Sequence, residues 1–334
     1  MQWRVFGRKT RGGLNTKIMD VLILAIHDHA NTGWRFSQCL KHIGFDYIAL
    51  KGQFHPFHYP EQMPIHPALA AVDQTQLMPV CKDLYHLASK AKVIHYIASV
   101  VVQPGVDIYE KNVVVNHGGS VYRQHHDIIS KTYDFVDASI IQCPDLLGLG
   151  AKNEQWIYYP VDTDLIKPDF KTNRPLKVGH FPSNPKIKGS DGIRAVAEQV
   201  KGIEFIYDRK RVIWGDNLKR VADCDIIIET LSLSLDGAKY GEWGNAAIEA
   251  AAMGKIVITN SLTEDKYKEE FGEKSALIIA NSEAELKEKL TMLSELSDNE
   301  INMLKIDMRN WVLKHHSIPA TARRLWDKVY KDFF

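Results

Sequence analysis

The stretch Tyr240-Gly241-Glu242-Trp243-Gly244-Asn245-Ala246-Ala247-Ile248-Glu249-Ala250-Ala251-Ala252-Met253-Gly254-Lys255 carries the residue types of an anion site. It reads as a glycine turn that opens a short helix, with Gly254 as its stop and Ile256-Val257-Ile258-Thr259 as a buried strand beyond. A glycine-rich turn at a helix start aims free backbone N–H groups at whatever lies ahead, which suits a phosphate or a sugar nucleotide. Glu249 falls inside that helix among alanines. An acid there is either exposed or has a polar partner, and a ribose diol suits it.

A second constellation is Val178-Gly179-His180-Phe181-Pro182-Ser183-Asn184-Pro185-Lys186-Ile187-Lys188-Gly189-Ser190-Asp191. A predicted strand ends at Phe181, and a loop of Ser, Asn and Pro leads to Lys188-Gly189 before a helix. Lys188 at a helix start is a point charge suited to a diphosphate. Taken alone, the motif favours a solvated loop lysine, with Asp191 near an N-cap. Its pairing with the glycine turn favours the ligand.

These groups need a scaffold that holds them together. Apolar runs at Val21–Ile26, Phe45–Leu50, Val93–Ile97, Asn112–Val115 and Ala138–Ile141 alternate with helical stretches, including one from Trp34 to about Ile43. A second series follows at Leu176–Phe181, Ile203–Tyr207, Asp225–Ile228, Ile256–Thr259 and Ala276–Ile279, with helices such as Asp191–Val200 and Glu283–Leu296 between. Runs of this length separated by helices predict parallel strands covered on both faces. The expected fold is α/β, with two doubly wound Rossmann-like domains facing a cleft. The polar, proline-bounded segment 168–175 is the candidate linker. The division expected is 1–168, 169–316 and a terminal helix over 317–334 that packs back on the first domain. His, Pro and aromatic residues make 50–67 an irregular excursion.

The chain has 334 residues and a net charge of +1, which gives no case for a global nucleic-acid footprint. Its length exceeds one comfortable core. Cys39, Cys81, Cys143 and Cys224 are scattered without a CxxC pair and read as reduced thiols. No apolar run reaches the ~20 residues of a membrane span. A cytoplasmic protein is expected. The basic start (Arg8, Lys9, Arg11, Lys17) leaves peripheral membrane contact open.

Pro160-Val161-Asp162, Lys188-Gly189, Gly244 with Glu249-Ala250, and Gly254-Lys255 stand in the order and rough spacing of a known family. Together they resemble retaining glycosyltransferases of GT-B fold, family-four type. The forms His180-Phe181-Pro182-Ser183-Asn184 and Tyr240-Gly241-Glu242-Trp243-Gly244 look like a bacterial or phage branch, and the tail 309–317 is also similar. The resemblance runs from about residue 20 to 334 and is strongest over 158–260.

The resemblance implies that Lys188 holds a donor diphosphate, that Glu249 contacts the nucleotide ribose, and that the backbone of Gly244, Asn245 and Ala246 lies near the diphosphate. His117, ahead of Gly118, matches a histidine facing the donor sugar. Asn31, Thr32 and Gly33 match a loop approaching donor and acceptor. His180, Ser183, Asn184, Glu242 and Trp243 fall within the donor-binding motifs. It further implies a metal-independent retaining transfer from a nucleotide sugar to a saccharide or other hydroxyl acceptor, with no cofactor. The leaving phosphate takes the acceptor proton, so His117 need not act as a base.

Two departures stand out. The family pattern places a Glu eight positions before Glu249, where this chain has Gly241, with Glu242 one place late. His180 stands where many relatives have Arg. Glu229, Asp236 and Glu242 are the acids near enough in sequence to replace the missing carboxylate. Base contacts are expected around 207–217, from Arg209, Arg211 and Trp214.

Other candidates are weaker. His27-Asp28-His29 lacks a third metal ligand and reads as a strand-end loop. His125-His126-Asp127 and His315-His316 read as surface or helix-edge residues, and Tyr122 and Arg123 as a helix face. A dehydrogenase is disfavoured because GxGxxG is missing after the first strand. The remaining alternatives are a sugar-nucleotide epimerase or phosphorylase on the same fold, and a non-catalytic nucleotide or sugar-binding module.

Overall fold

β-Branched and aliphatic runs build two parallel sheets. The structure, a computed structural model, describes residues 18–72, 81–100, 105–232, 234–235, 238–239 and 242–334. The first sheet contains β1 (Met19–Ala25), β2 (Tyr47–Lys51), β3 (Ala91–Ile97), β4 (Asn112–His117), β5 (Ala138–Ile141) and β6 (Glu154–Trp156). Their order is β2-β1-β3-β4-β5-β6, parallel throughout. The second contains β7 (Leu176–His180), β8 (Ile203–Tyr207), β9 (Ile226–Ile228), β12 (Ile256–Thr259) and β13 (Ile278–Ile279). Its order is β13-β12-β9-β7-β8, again parallel. A short antiparallel pair, β10 (Ser234–Leu235) and β11 (Ala238–Lys239), interrupts the series.

Helices cover both faces, which is why consecutive residues such as Val113, Val114 and Val115 are all fully buried. Both sheets reverse their strand order once, at β1/β3 and at β7/β9. Loops at the carboxyl ends of such strands diverge and leave a crevice. The α/β architecture with two doubly wound sheets is therefore present as expected.

The boundaries differ in detail. β6 has no counterpart among the expected strands, because Glu154-Gln155-Trp156 is short and half polar. The terminal segment is not one helix. It runs as Ile318–Leu325, a π-turn over Trp326–Tyr330 and a 3-10 turn over Lys331–Phe333. Ala322, Leu325, Val329 and Tyr330 pack with Val21, Phe36 and Leu40 beside the first sheet. The Tyr330 hydroxyl lies 2.7 Å from His95 Nδ1. Cys39 and Cys224 are buried, and all four thiols are free. Among the described residues, no helix is long and apolar enough to cross a membrane. Arg8, Lys9, Arg11, Lys17, Asp236 and Gly241 lie outside the described residues.

Candidate functional site

A cavity of about 340 Å³ opens between the carboxyl ends of the two sheets. Its second-sheet wall is the start of the helix Asn245–Ala252. Gly244 occupies the N-cap in an extended conformation, and among the described residues no side chain caps the helix. Gly244, Asn245 and Ala246 all line the cavity. The alanines let this helix press closely on the sheet, and Ala247, Ala250, Ala251 and Ala252 are buried. Gly254 ends it with φ +71, where a Cβ would lie 2.6 Å from Phe170. An uncapped helix start leaves donors and a partial positive charge facing the space in front.

Lys188 stands across the switch point of the same sheet. Its short helix is started by Asn184, whose side chain accepts from the Ile187 amide at 3.4 Å, and ends at Gly189 with φ +68. The Leu231 amide donates to the Lys188 carbonyl at 3.0 Å, which ties the two switch-point loops together. Lys188 Nζ pairs with Glu229 Oε1, just past β9. Both residues line the cavity. Among the described residues, the second oxygen of Glu229 is buried with no hydrogen-bond partner.

Glu249 reaches the same cavity from inside the open helix. Its Oε1 accepts from Trp214 Nε1 and from Asn245 Nδ2, both at 3.0 Å, and pairs with Arg35. Arg35 comes from the helix Thr32–Ile43 after β1. It also donates to Asn245 Oδ1 at 2.5 Å and to the Pro160 carbonyl at 3.1 Å. Both charged side chains are buried, at 8% and 6% exposure. This buried pair joins elements of the two sheets.

An aromatic and basic flank completes the cavity with Phe57, Tyr59, Trp214, Phe181, Lys210 and Arg211. The Trp214 amide donates to the Phe57 carbonyl at 2.7 Å, and the Tyr59 and Trp214 rings lie 5.6 Å apart. The 50–67 excursion thus reaches the second-sheet side. Arg220 is committed to Asn217 and Asp208 and covers Phe181. Arg209 is not on the wall.

Of the donor-binding residues expected from sequence, Lys188, Glu249, Ser183, Gly244, Asn245 and Ala246 line the cavity. The others stand elsewhere, each for a local reason. His180 is buried. Its Nδ1 donates to the Ile228 carbonyl at 2.8 Å and its Nε2 accepts from the Ser190 hydroxyl at 2.8 Å. Burial pulls its pKa down to about 4, so it is a neutral strut and not a phosphate partner. Trp243 is core, stacked on Tyr158 at 4.2 Å and edge-on to Trp311. Glu242 accepts from the Ser261 and Thr263 hydroxyls, both at 2.9 Å, and from the Leu262 amide at 3.0 Å. It braces the loop after β12, and burial raises its pKa to about 7. Asn184 is spent on its cap.

On the first-sheet side, Ala30 reaches the cavity, whereas Asn31, Thr32 and Gly33 bond locally. Asn31 Nδ2 donates to the Glu61 carbonyl at 2.8 Å, and the Thr32 hydroxyl to the His29 carbonyl at 2.5 Å. The amides of Gly33 and Trp34 donate to Asp28 at 2.6 Å and 3.3 Å. His117 is buried behind the wall and stacked on Tyr122 at 4.3 Å. Burial lowers its pKa to about 4. Gly118 adjoins the wall, since a Cβ there would lie 3.9 Å from the Tyr159 hydroxyl. Tyr159 and Cys143 line the cavity. Among the described residues, no group of three or more His, Cys, Asp or Glu could hold a metal ion.

Arg35, Asp28 and the cavity-lining Tyr59 went unforeseen. Asp28, five residues before Gly33, had a readable cap signal. Arg35 had none, because its side-chain partners Asn245 and Glu249 lie more than two hundred positions away.

No protein-family model matches the chain, and no curated protein matches it in sequence. Solved structures do match its fold. HepE of Anabaena, solved with UDP and glucose, superposes with a TM-score of 0.62 at 12% identity, over 94% of this chain and 100% of that one. An alpha-glucosyltransferase solved with UDP-glucose and DNA containing an abasic site gives 0.64 at 12% identity, over 92% and 98%. A glycosyltransferase from Rickettsia africae gives 0.57 at 12% identity, over 94% and 98%. At these identities the likeness is one of fold. The chain has the two-sheet architecture of GT-B glycosyltransferases.

Proposed function

We propose that this chain is a retaining, metal-independent glycosyltransferase that moves a sugar from a nucleotide-sugar donor to a hydroxyl acceptor. The observation that carries the reading is the uncapped start of the helix Asn245–Ala252 sharing one cavity with Lys188. A diphosphate there meets free amides, a helix dipole and a lysine at once. Solved structures of like fold hold UDP and UDP-glucose, which supports the same ligand class.

In this reading Lys188 and the Gly244–Ala246 amides hold the diphosphate. Glu249 keeps Oε1 on Arg35, Trp214 and Asn245, and offers Oε2 to a ribose diol. The base lies against Trp214 and Tyr59. Residues 169–316 form the donor side and 1–168 the acceptor side, with His117 and Gly118 approaching the sugar as the two sides close. The donor C1–O bond to the phosphate breaks and the acceptor oxygen bonds C1 on the same face. The acceptor proton passes to the leaving phosphate oxygen. Lys188 and the helix amides stabilise the charge that develops there, so the reaction needs no paired carboxylates. Exclusion of water by the buried aromatic flank protects the donor from hydrolysis.

The test is titration with UDP, GDP and ADP, followed by a donor-turnover assay with an acceptor panel. Lys188→Gln keeps a donor for Glu229 but removes the charge. It is expected to weaken nucleoside diphosphate binding by roughly 10- to 100-fold and to suppress transfer, with a lower melting temperature because buried Glu229 loses its counter-charge, but with the native fold kept by circular dichroism. Wild-type affinity and turnover in the folded variant would refute the assignment. Product formation without an acceptor would point to an epimerase, dependence on inorganic phosphate to a phosphorylase, and binding without turnover to a binding module.

A further inference from the structure

The 50–67 excursion is held firmly at its root and sparingly at its tip. Lys51 bridges Ile65, the Lys51 amide donates to the Pro64 carbonyl at 3.0 Å, and the His66 amide donates to the Lys51 carbonyl at 2.9 Å. Gly52 is packed so closely that a Cβ would lie 2.7 Å from the Leu69 carbonyl oxygen. Met63 is buried in the core of the first sheet. The Ala30 amide holds one flank by donating to His55 Nε2 at 3.3 Å, and Asn31 Nδ2 holds the other through the Glu61 carbonyl at 2.8 Å. Close ends with a projecting middle make an Ω-loop.

The tip, residues 56–60, crosses to the second-sheet side. The Phe57 carbonyl accepts from the Trp214 amide at 2.7 Å. That amide is the first of the helix Trp214–Ala222, which among the described residues has no side-chain cap. The Tyr59 ring lies 5.6 Å from the Trp214 ring and 5.9 Å from the Arg35 guanidinium carbon. Trp214 and Arg35 are both bonded to Glu249 Oε1. Tyr59 therefore covers the two groups that hold the carboxylate, and Glu249 is left 4% exposed. Within the tip, the exposed His58 has φ +47. That left-handed conformation costs a non-glycine residue energy and persists while its surroundings impose it. We infer, resting on the donor-site reading above, that residues 56–60 are a lid on the nucleotide subsite. The tip lifts on its fixed root, Tyr59 moves aside to let a ribose reach Glu249, and the tip docks again on Trp214. Arg35 stays on Asn245 and Glu249 throughout, so the movement is local and does not require the two sheets to part.

His58→Pro tests the lid without altering a side chain on the cavity wall. Proline fixes φ at about −65°, which excludes the docked tip. Rapid mixing follows the binding of whichever of UDP, GDP and ADP binds best. His58→Pro is expected to raise the association rate constant at least about fivefold, because the wild type binds through its open fraction, and to raise the dissociation rate constant by more. Hydrogen exchange gives a second readout. The nucleotide should slow exchange of the Trp214 amide in the wild type, and that amide should exchange fast in free His58→Pro. The Lys51 and His66 amides should stay protected in both proteins. An association rate constant that is unchanged or lower in His58→Pro overturns the inference, since disturbing a fixed wall speeds release alone. So does a Trp214 amide as well protected as those of Lys51 and His66 in both proteins. If the root amides lose protection in His58→Pro, Tyr59→Ala is read by the same criterion. If the wild type binds none of the three nucleotides, the donor-site reading falls and takes this inference with it. If nucleotides bind and neither variant speeds association, this inference alone falls.

Discussion

Two helix starts at the mouths of the two sheets, those of Thr32–Ile43 and Asn245–Ala252, differ in whether their first amides are open to a ligand. The helix Thr32–Ile43 follows β1, and its first amides are already taken by Asp28, with Gly33 N at 2.6 Å from Oδ1. The helix Asn245–Ala252 has no side-chain cap and opens onto the cavity. Topology alone therefore makes a crevice, and a single carboxylate decides whether the crevice can hold an anion. Asp28 is a resident anion where the other helix awaits an incoming one.

Arg35 physically connects the two helices, so removing it is the strongest way to break the comparison. It leaves the first helix to bind Asn245 and Glu249 of the second. Arg35→Ala strands Glu249 as a buried charge with reduced compensation and is expected to cost about 3–5 kcal/mol of stability. A double variant, Arg35→Met with Glu249→Gln, should recover most of that loss. Urea denaturation checks both. A loss below about 1 kcal/mol in Arg35→Ala would show that the pair is not a stabilising tie.

Asp28 sharpens the comparison through pH. Burial, the largest influence, raises its pKa from 3.8 to about 6, against the opposing Gly33 and Trp34 amides, Lys51 and Arg35. The folded chain then holds a proton that the unfolded chain has lost between those two values. Stability is fully present below the unfolded value, falls as pH rises through the window, and is flat above about 6. The full change is of order 3 kcal/mol. Asp28→Asn removes that titration and still offers a cap oxygen, so its stability should be flatter from pH 4 to 6.5. Comparing the two proteins cancels the other groups that titrate nearby. Parallel stability curves would mean that Asp28 ionises normally in the fold.

How much of this was legible follows from distance along the chain. The sheets were, because unbroken apolar runs such as Val113-Val114-Val115 and Ile226-Ile227-Ile228 report burial on both faces without knowledge of any partner. The open helix and Lys188 were too, since glycine, lysine and helix start are neighbours in sequence. His180 and Glu242 were not. Their types suit a phosphate or a sugar, but their ring and carboxyl atoms are taken by Ile228, Ser190, Ser261, Leu262 and Thr263. No local pattern announces those bonds. Trp243 sits beside the glycine turn, yet its stacking on Tyr158 comes from a residue more than eighty positions earlier. Residue type thus identified what these groups can do, and tertiary packing determined which of them remain free to do it.

The smallest effects should fall oppositely on the two glycines at these helix starts. A Cβ on Gly33 would lie 2.5 Å from Met63 Cε and 3.2 Å from Ile97 Cγ1, whereas a Cβ on Gly244 meets nothing within 4 Å. Met63 is flexible and yields in part, so Gly33→Ala is expected to cost about 1–2 kcal/mol of stability and leave nucleotide affinity unchanged. Gly244 has φ −117, which alanine adopts freely, so Gly244→Ala should cost less than about 1 kcal/mol. Its methyl group instead projects where the diphosphate approaches the amides, and affinity should drop by up to roughly tenfold. Melting curves and nucleotide titrations on the same two variants separate the cases. A Gly244→Ala protein that loses stability but binds as before would mean that this helix start is packing, and that the two crevices do not differ in the way their capping implies.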